Sequence, residues 1–175
     1  PKCAGSSMKS ILMEKFVDIT LDSDSFFMYP QEKRTKLILN SLKSPEKLTG
    51  NSFIFGHFFP VKYLGDLSNN KTNFRLITFL RDPIERLASH YNYWQKNEPY
   101  FENYVRDKMI RENWSFKEFC LSKEMKNFYT QYFIHIPLST FDFVGIHERV
   151  DEDWEKLCDF LEIKYEKLPM INTSP

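Results

Sequence analysis

Apolar positions recur along the chain with two periods, and the period changes at polar or proline punctuation. Met8, Ile11, Leu12 and Phe16 fall three and four residues apart, which predicts a helix over 6–17 with Ser6 or Ser7 near its N-cap. A second helix is predicted over 30–42, with Pro30 at its start. Ser44 to Asn51 reads as a loop, and Asp66 to Asn73 as a polar surface loop. Between them Ser52-Phe53-Ile54-Phe55 predicts a short buried strand that ends at Gly56-His57. Phe74 to Leu80 is almost continuously apolar, as in a strand covered on both faces. Asp82 as N-cap and Pro83 at the first helical position then start a helix that runs to about residue 95. Residues 99–133 predict two or three helical pieces, the second capped at Ser115. A strand is expected over Phe141 to Gly145. A helix follows from Asp151 to Leu161 with Trp154, Leu157, Cys158 and Leu161 inward, and then a terminal loop from Leu168.

Strands alternating with helices argue for an α/β fold with a layered, parallel sheet. Ligands collect at the carboxyl ends of strands in such folds. Three predicted strands end in polar residues that suit this role: His57, Arg81, and the run His147-Glu148-Arg149. No repeat or low-complexity segment divides the chain, so residues 1–175 are expected to form one domain. A phosphate-binding loop normally follows a strand, and a strand ahead of Pro1 is expected to be missing from this sequence.

Composition narrows the partners. Formal net charge is zero and the pI is about 7.3, so no global field draws the chain to nucleic acid or to an acidic membrane. Any anion site has to be local. No apolar run approaches the roughly 20 residues that span a bilayer, and no signal peptide is read. Cys3, Cys120 and Cys158 are far apart and form no CxxC pair, which points to isolated thiols rather than a metal site or disulfide framework.

Three stretches carry candidate chemistry. In PKCAGSS, residues 1–7, Lys2 supplies a charge, Gly5 opens the backbone, and Ser6 and Ser7 lead into a helix start. Backbone N–H groups at such a start bind phosphate oxygens. The Walker pattern GxxxxGK[ST] is not met, since the lysine precedes the glycine. An exposed lysine before a serine-capped helix fits the same residues. In FLRDPIERLASHYNYW, residues 79–94, Arg81 leaves a buried strand and Ser89 lies eight residues on. A guanidinium there can grip a phosphate bidentately. The alternative is a surface ion-pair cluster of Arg81, Asp82, Glu85 and Arg86. In FIFGHFF, residues 53–59, His57 follows a strand and a glycine, a position suited to a general base. The alternative is a histidine satisfied by backbone, which is also the reading for His90, His135 and His147.

Together these segments, in this order, resemble the sulfotransferases that use 3′-phosphoadenosine 5′-phosphosulfate (PAPS), notably the heparan and chondroitin sugar sulfotransferases and their bacterial relatives. RDPIERLASHYNYW and PKCAGSS carry most of the resemblance, and FDFVGIHERVDEDWEKL and LPMINTSP extend it over nearly the whole chain. The resemblance implies a P-loop-like three-layer sandwich, a central mostly parallel sheet flanked by helices. It also implies that Lys2, Cys3, Ala4, Gly5, Ser6 and Ser7 surround the 5′-phosphosulfate, and that Arg81 and Ser89 hold the 3′-phosphate. His57 matches the base of sugar-acting members, with Lys2 its catalytic partner on the leaving phosphate. Asn172 resembles part of a late loop that closes over the donor. Asn127 and Thr130 persist from an Asn-x-Gln-Thr-Arg-like segment near the adenine, but Tyr129 and Gln131 replace its Gln and Arg.

The implied reaction is in-line transfer of a sulfuryl group from PAPS to the hydroxyl of a carbohydrate or small molecule, with no metal. With no basic run, a long polyanionic acceptor is disfavoured. Alternatives are a P-loop small-molecule kinase and a non-catalytic nucleotide-binding relative. A bacterial-type member would be cytoplasmic, which the cysteine usage favours, and an animal one would lie in the Golgi lumen. Aromatics such as Tyr91, Tyr93, Trp94, Tyr100 and Phe101 read mainly as core.

Overall fold

The computed structural model of the chain describes residues 3–23, 29–43, 53–63, 75–96, 103–134 and 136–169. Four short strands form two parallel pairs among these residues. Strand β1 (Ile19–Ser23) runs beside β2 (Phe53–His57), with Ile19 opposite Phe53 and Ser23 opposite His57. Strand β3 (Ile77–Leu80) runs beside β4 (Phe143–Ile146), with Ile77 opposite Phe143 and Leu80 opposite Ile146. Mixed helices and parallel strands bear out the α/β class.

Strand β1 is absent from the sequence reading, and its physical reason is visible. Only Ile19 and Leu21 are apolar in it, Thr20 and Leu21 are exposed, and Asp22 interrupts the run. The strand exists because β2 pairs with it. Gly56 is what lets the two backbones meet, since a Cβ there would lie 1.7 Å from the Asp22 carbonyl oxygen. Strand β3 begins later than its apolar run. The Asp142 carboxylate accepts the Leu76 N–H at 2.6 Å, so a side chain takes the place of a ladder partner before Ile77.

Helix α1 (Gly5–Lys15) buries Ser7, Met8, Ile11 and Leu12. The predicted serine cap is corrected: Ala4 occupies the N-cap in the left-handed region (φ 58°), and no side chain caps the helix. Helix α2 (Gln31–Lys43) follows Pro30. Helix α3 (Pro83–Lys96) is capped as predicted, with the Asp82 carboxylate accepting the N–H groups of Ile84 (2.9 Å) and Glu85 (3.0 Å). The helical pieces between are α4 (Tyr104–Arg111), α5 (Phe116–Leu121) and α6 (Phe128–Tyr132). Ser115 and Glu118 form a reciprocal capping box on α5. Helix α7 (Val150–Phe160) buries Trp154, Leu157 and Cys158.

One apolar cluster joins α1 and α7 to both strand pairs. Met8, Ile11, Leu12, Trp154, Leu157 and Cys158 are its buried members, and Ile19, Phe53, Phe55, Ile77, Phe79 and Phe143 pack against them. A second cluster gathers Ile38, Phe59, Val61, Phe128 and Ile136. A third, of Trp94, Val105, Met109, Phe119 and Met125, joins α3 to the small helices. Trp94 and the half-buried Tyr91 belong there, as their core reading requires, while Tyr93 is exposed. Tyr100 and Phe101 lie outside the described residues. All three cysteines are free thiols, and Cys3 and Cys158 are buried.

Candidate functional site

Successive side chains of a strand alternate between faces. Phe53, Phe55 and His57 therefore share one face of β2, and the first two pack into the core under α1. A Cβ built on Gly5 would lie 3.9 Å from the Phe55 ring, so the start of α1 sits over that position. His57, one step further, emerges on the side that carries the α1 amino terminus. The same spacing recurs in the second pair. Ile77 and Phe79 pack into this core, and Arg81 follows Phe79 by two residues.

The turn into α1 has the form of an anion cradle. A left-handed Ala4 followed by a helical Gly5 turns successive N–H groups to one side. The Ala4 carbonyl takes the N–H groups of Ser7 and Met8, both at 3.1 Å, and the amides ahead of them point out of the helix end. No acidic side chain occupies the first turn, where one would ordinarily offset the helix dipole. Ser6 is exposed beside this turn and Ser7 is buried beneath it.

Tyr129 joins this turn to the end of β3. Its hydroxyl donates to the Arg81 carbonyl (2.9 Å) and accepts the Arg81 N–H (3.0 Å). The Cys3 thiol lies beside this hydroxyl. Burial pushes the Cys3 thiol up and Tyr129 to about 12, so both stay protonated near neutrality. The Arg81 guanidinium lies 3.6 Å from Glu85, and its side chain keeps about a fifth of its surface exposed (19%). Of the alternative surface cluster of Arg81, Asp82, Glu85 and Arg86, the Arg81–Glu85 pair is present, but Arg86 does not join it. Arg86 is 2% exposed, and its guanidinium stacks over the rings of Phe128 (4.1 Å) and Tyr129 (5.2 Å).

The β4 end closes on the same place. Asp82 donates its N–H to Glu148 at 2.9 Å. Half-buried His147 is pushed below the usual histidine range by desolvation and then by the Arg81 charge. His57 is exposed on one side, and protein mass on the other strips enough hydration to lower its pKa to about 4. Its imidazole is therefore neutral at pH 7. Behind it, on the opposite face of the β1–β2 pair, Asp22 accepts hydrogen bonds from buried Lys62 (2.8 Å) and from Tyr63 (2.7 Å).

Cys3 thus lies near Tyr129 and Arg81, and Gly5 lies over Phe55, two residues before His57 on the same strand. Ser89 is half-buried on α3, about two turns beyond Arg81. Asn127 is exposed and left-handed at the start of α6 (φ 53°), two residues before Tyr129. Lys2 and Asn172 lie outside the described residues. Sequence reasoning missed Tyr129 and Arg86 as members of this neighbourhood, and marked His147 only within the polar run that ends a strand. The one signal available was the replacement at Tyr129 in the Asn127 to Gln131 segment.

Among the described residues no group of three or more His, Cys, Asp or Glu could hold a metal ion, and no helix is long and apolar enough to cross a membrane. A family model described as "Sulfotransferase family" matches residues 1–174. No curated protein and no solved structure matches the chain.

Proposed function

The chain belongs to the sulfotransferase family, and from that premise we propose that it moves a sulfuryl group from PAPS to the hydroxyl of a carbohydrate or small molecule. The observation that carries this reading is the meeting of Cys3 and the Arg81 backbone at one tyrosine hydroxyl. It supports a reading in which the α1 start and the guanidinium of Arg81 serve the two ends of one doubly phosphorylated donor. The family match does not favour the kinase reading.

The residues present fit such a donor. The outward N–H groups at the α1 start, with no acid in the first turn, suit the 5′-phosphosulfate. Arg81, with Ser89, would take the 3′-phosphate. Asn127 and Asn172 would flank the nucleoside. His57, neutral at pH 7, would accept the acceptor's hydroxyl proton. Lys2 and the loop amides would stabilise the charge that grows on the departing 5′-phosphate, an electrostatic contribution. The wider frame we propose is one domain over 1–175, a P-loop-like sandwich in which α1 and α7 cover one face of the strands. Three free thiols favour a cytoplasmic setting over the Golgi lumen.

The test is incubation with sulfur-labelled PAPS and a panel of neutral sugars, phenols and alcohols. Label should pass to a hydroxyl, with 3′-phosphoadenosine 5′-phosphate (PAP) released in equal amount. A protein that transfers nothing and binds PAP no better than adenosine 5′-phosphate would sink the proposal.

A further inference from the structure

The same site holds a residue that no feature of the reaction assigns. We propose that Tyr129 is a positioning residue: its hydroxyl clamps the turn at Cys3 to the turn at Arg81, and so sets the distance between the two anion-binding ends. This rests on the donor reading given above.

Three observations carry it. First, one phenol bonds both backbone polar groups of Arg81, at 2.9 and 3.0 Å, as a neighbouring strand would at the point where β3 has ended. The Cys3 thiol lies beside the same hydroxyl. Arg81 therefore leaves the strand with its backbone fixed, and its guanidinium is aimed before any ligand arrives. Second, the ring is itself immobilised. It stacks on Phe133 (6.2 Å between centroids, 12° between planes), meets Phe128 edge-on at 5.8 Å, and lies under the buried Arg86 guanidinium. Arg86 comes from α3, the helix that Arg81 and Asp82 introduce, so the clamp is anchored to the element it orients. Third, the clamp is electrically neutral. A carboxylate could make similar bonds, but it would repel a donor that carries several negative charges. The high pKa values of Tyr129 and Cys3 keep both groups uncharged at working pH.

Tyr129→Phe keeps the ring and removes the clamp. Affinities for PAP and for adenosine 5′-phosphate are measured by calorimetry on wild type, Tyr129→Phe, Arg81→Ala and the double variant, each checked by thermal melting. Losing two modest hydrogen bonds should weaken PAP binding about tenfold. Adenosine 5′-phosphate, which lacks the 3′-phosphate, should change less than about twofold. Since Tyr129 acts through Arg81, adding Tyr129→Phe to Arg81→Ala should weaken PAP binding little further. A purely structural tyrosine would weaken both ligands alike and add its loss to that of Arg81→Ala, and that outcome overturns the clamp. Should Tyr129→Phe fail to fold, Cys3→Ala cuts the clamp from the loop side. It should weaken PAP, which spans both ends, more than adenosine 5′-phosphate, and equal losses or unchanged affinities would overturn the proposal. A wild type that prefers PAP beside a Tyr129→Phe variant that keeps the whole preference refutes the clamp alone. A wild type without preference removes the donor reading, and the clamp with it.

Discussion

The ends of β2 and β3 are built alike and held differently. Each strand places an aromatic residue in the α1–α7 core, Phe55 or Phe79, and a polar one two residues later, His57 or Arg81. At β3 everything around the polar residue is fastened. Tyr129 holds the Arg81 backbone, Glu148 takes the Asp82 N–H, and Asp82 caps α3. At β2 the fastening lies behind the strand, where Asp22 meets Lys62 and Tyr63, and His57 keeps an exposed side. The contrast follows the work proposed for each end. Holding a fixed anion rewards groups that lose no freedom on binding. A base has to be reached by a hydroxyl that comes from solvent.

The sharpest way to break this comparison is to remove the open end. His57→Ala should lower turnover by about 10²–10⁴-fold, the usual contribution of a proton-transfer residue, and leave PAP affinity within about twofold of wild type. Full turnover in the variant would take the base role from His57. The next largest effect falls on the fastening behind it. In Gly56→Ala the new Cβ would sit 1.7 Å from the Asp22 carbonyl oxygen, on a backbone with φ of 156° that side chains resist. Strain and overpacking together should cost about 2–4 kcal/mol in chemical denaturation. A variant as stable as wild type would mean that β1 and β2 do not approach as closely as their pairing indicates.

Acidity separates the two ends more gently. The folded pKa of His57 is about 4, below the ordinary histidine value near 6.5. The unfolded chain therefore binds the proton first. The contribution of His57 to stability is complete above about pH 6.5 and is lost as pH falls toward 4. The carboxyl of Asp153 titrates in a lower window. Burial raises it, but hydrogen bonds from Arg149, the Ile146 N–H and Lys156 outweigh burial and hold it below 3.8. For the reaction, kcat/KM should stay flat from neutrality down to about pH 5. An inflection near 6.5 that vanishes in His57→Ala would show an ordinary, hydrated histidine instead.

Local rules made most of the elements legible, because their causes are local. Apolar spacing located α1 and α7, and Asp82-Pro83 and Ser115 marked the starts of α3 and α5. What stayed hidden depends on tertiary partners. Strand β1 has two apolar residues and needs β2 to exist. The N-cap of α1 is a strained alanine rather than the serines beside it, and no propensity announces a left-handed alanine. Within the site, Arg81 and His57 stood out as polar residues at strand ends. Tyr129 did not, for a tyrosine in an aromatic run reads as core until its hydroxyl is seen against a backbone 48 residues away. Arg86 misled for the opposite reason: its charge argues for surface, and only the rings of Phe128 and Tyr129 explain its burial.

The smallest expected effect tests the fastened end by itself. Asp82→Ala removes the acceptor for the Ile84 and Glu85 N–H groups and leaves Arg81 and Tyr129 untouched. Loss of such a cap costs about 1 kcal/mol, which for a domain of this size lowers the melting temperature by roughly 2–4 °C. The bond from the Asp82 N–H to Glu148 belongs to the backbone and survives the change. If Tyr129 and Glu148 fix the turn, PAP affinity in Asp82→Ala should fall by no more than about twofold despite the lower stability. A tenfold loss would mean that the capped helix start, rather than the tyrosine, aims the guanidinium. The β3 end would then owe its rigidity to its own helix and not to the turn at Cys3.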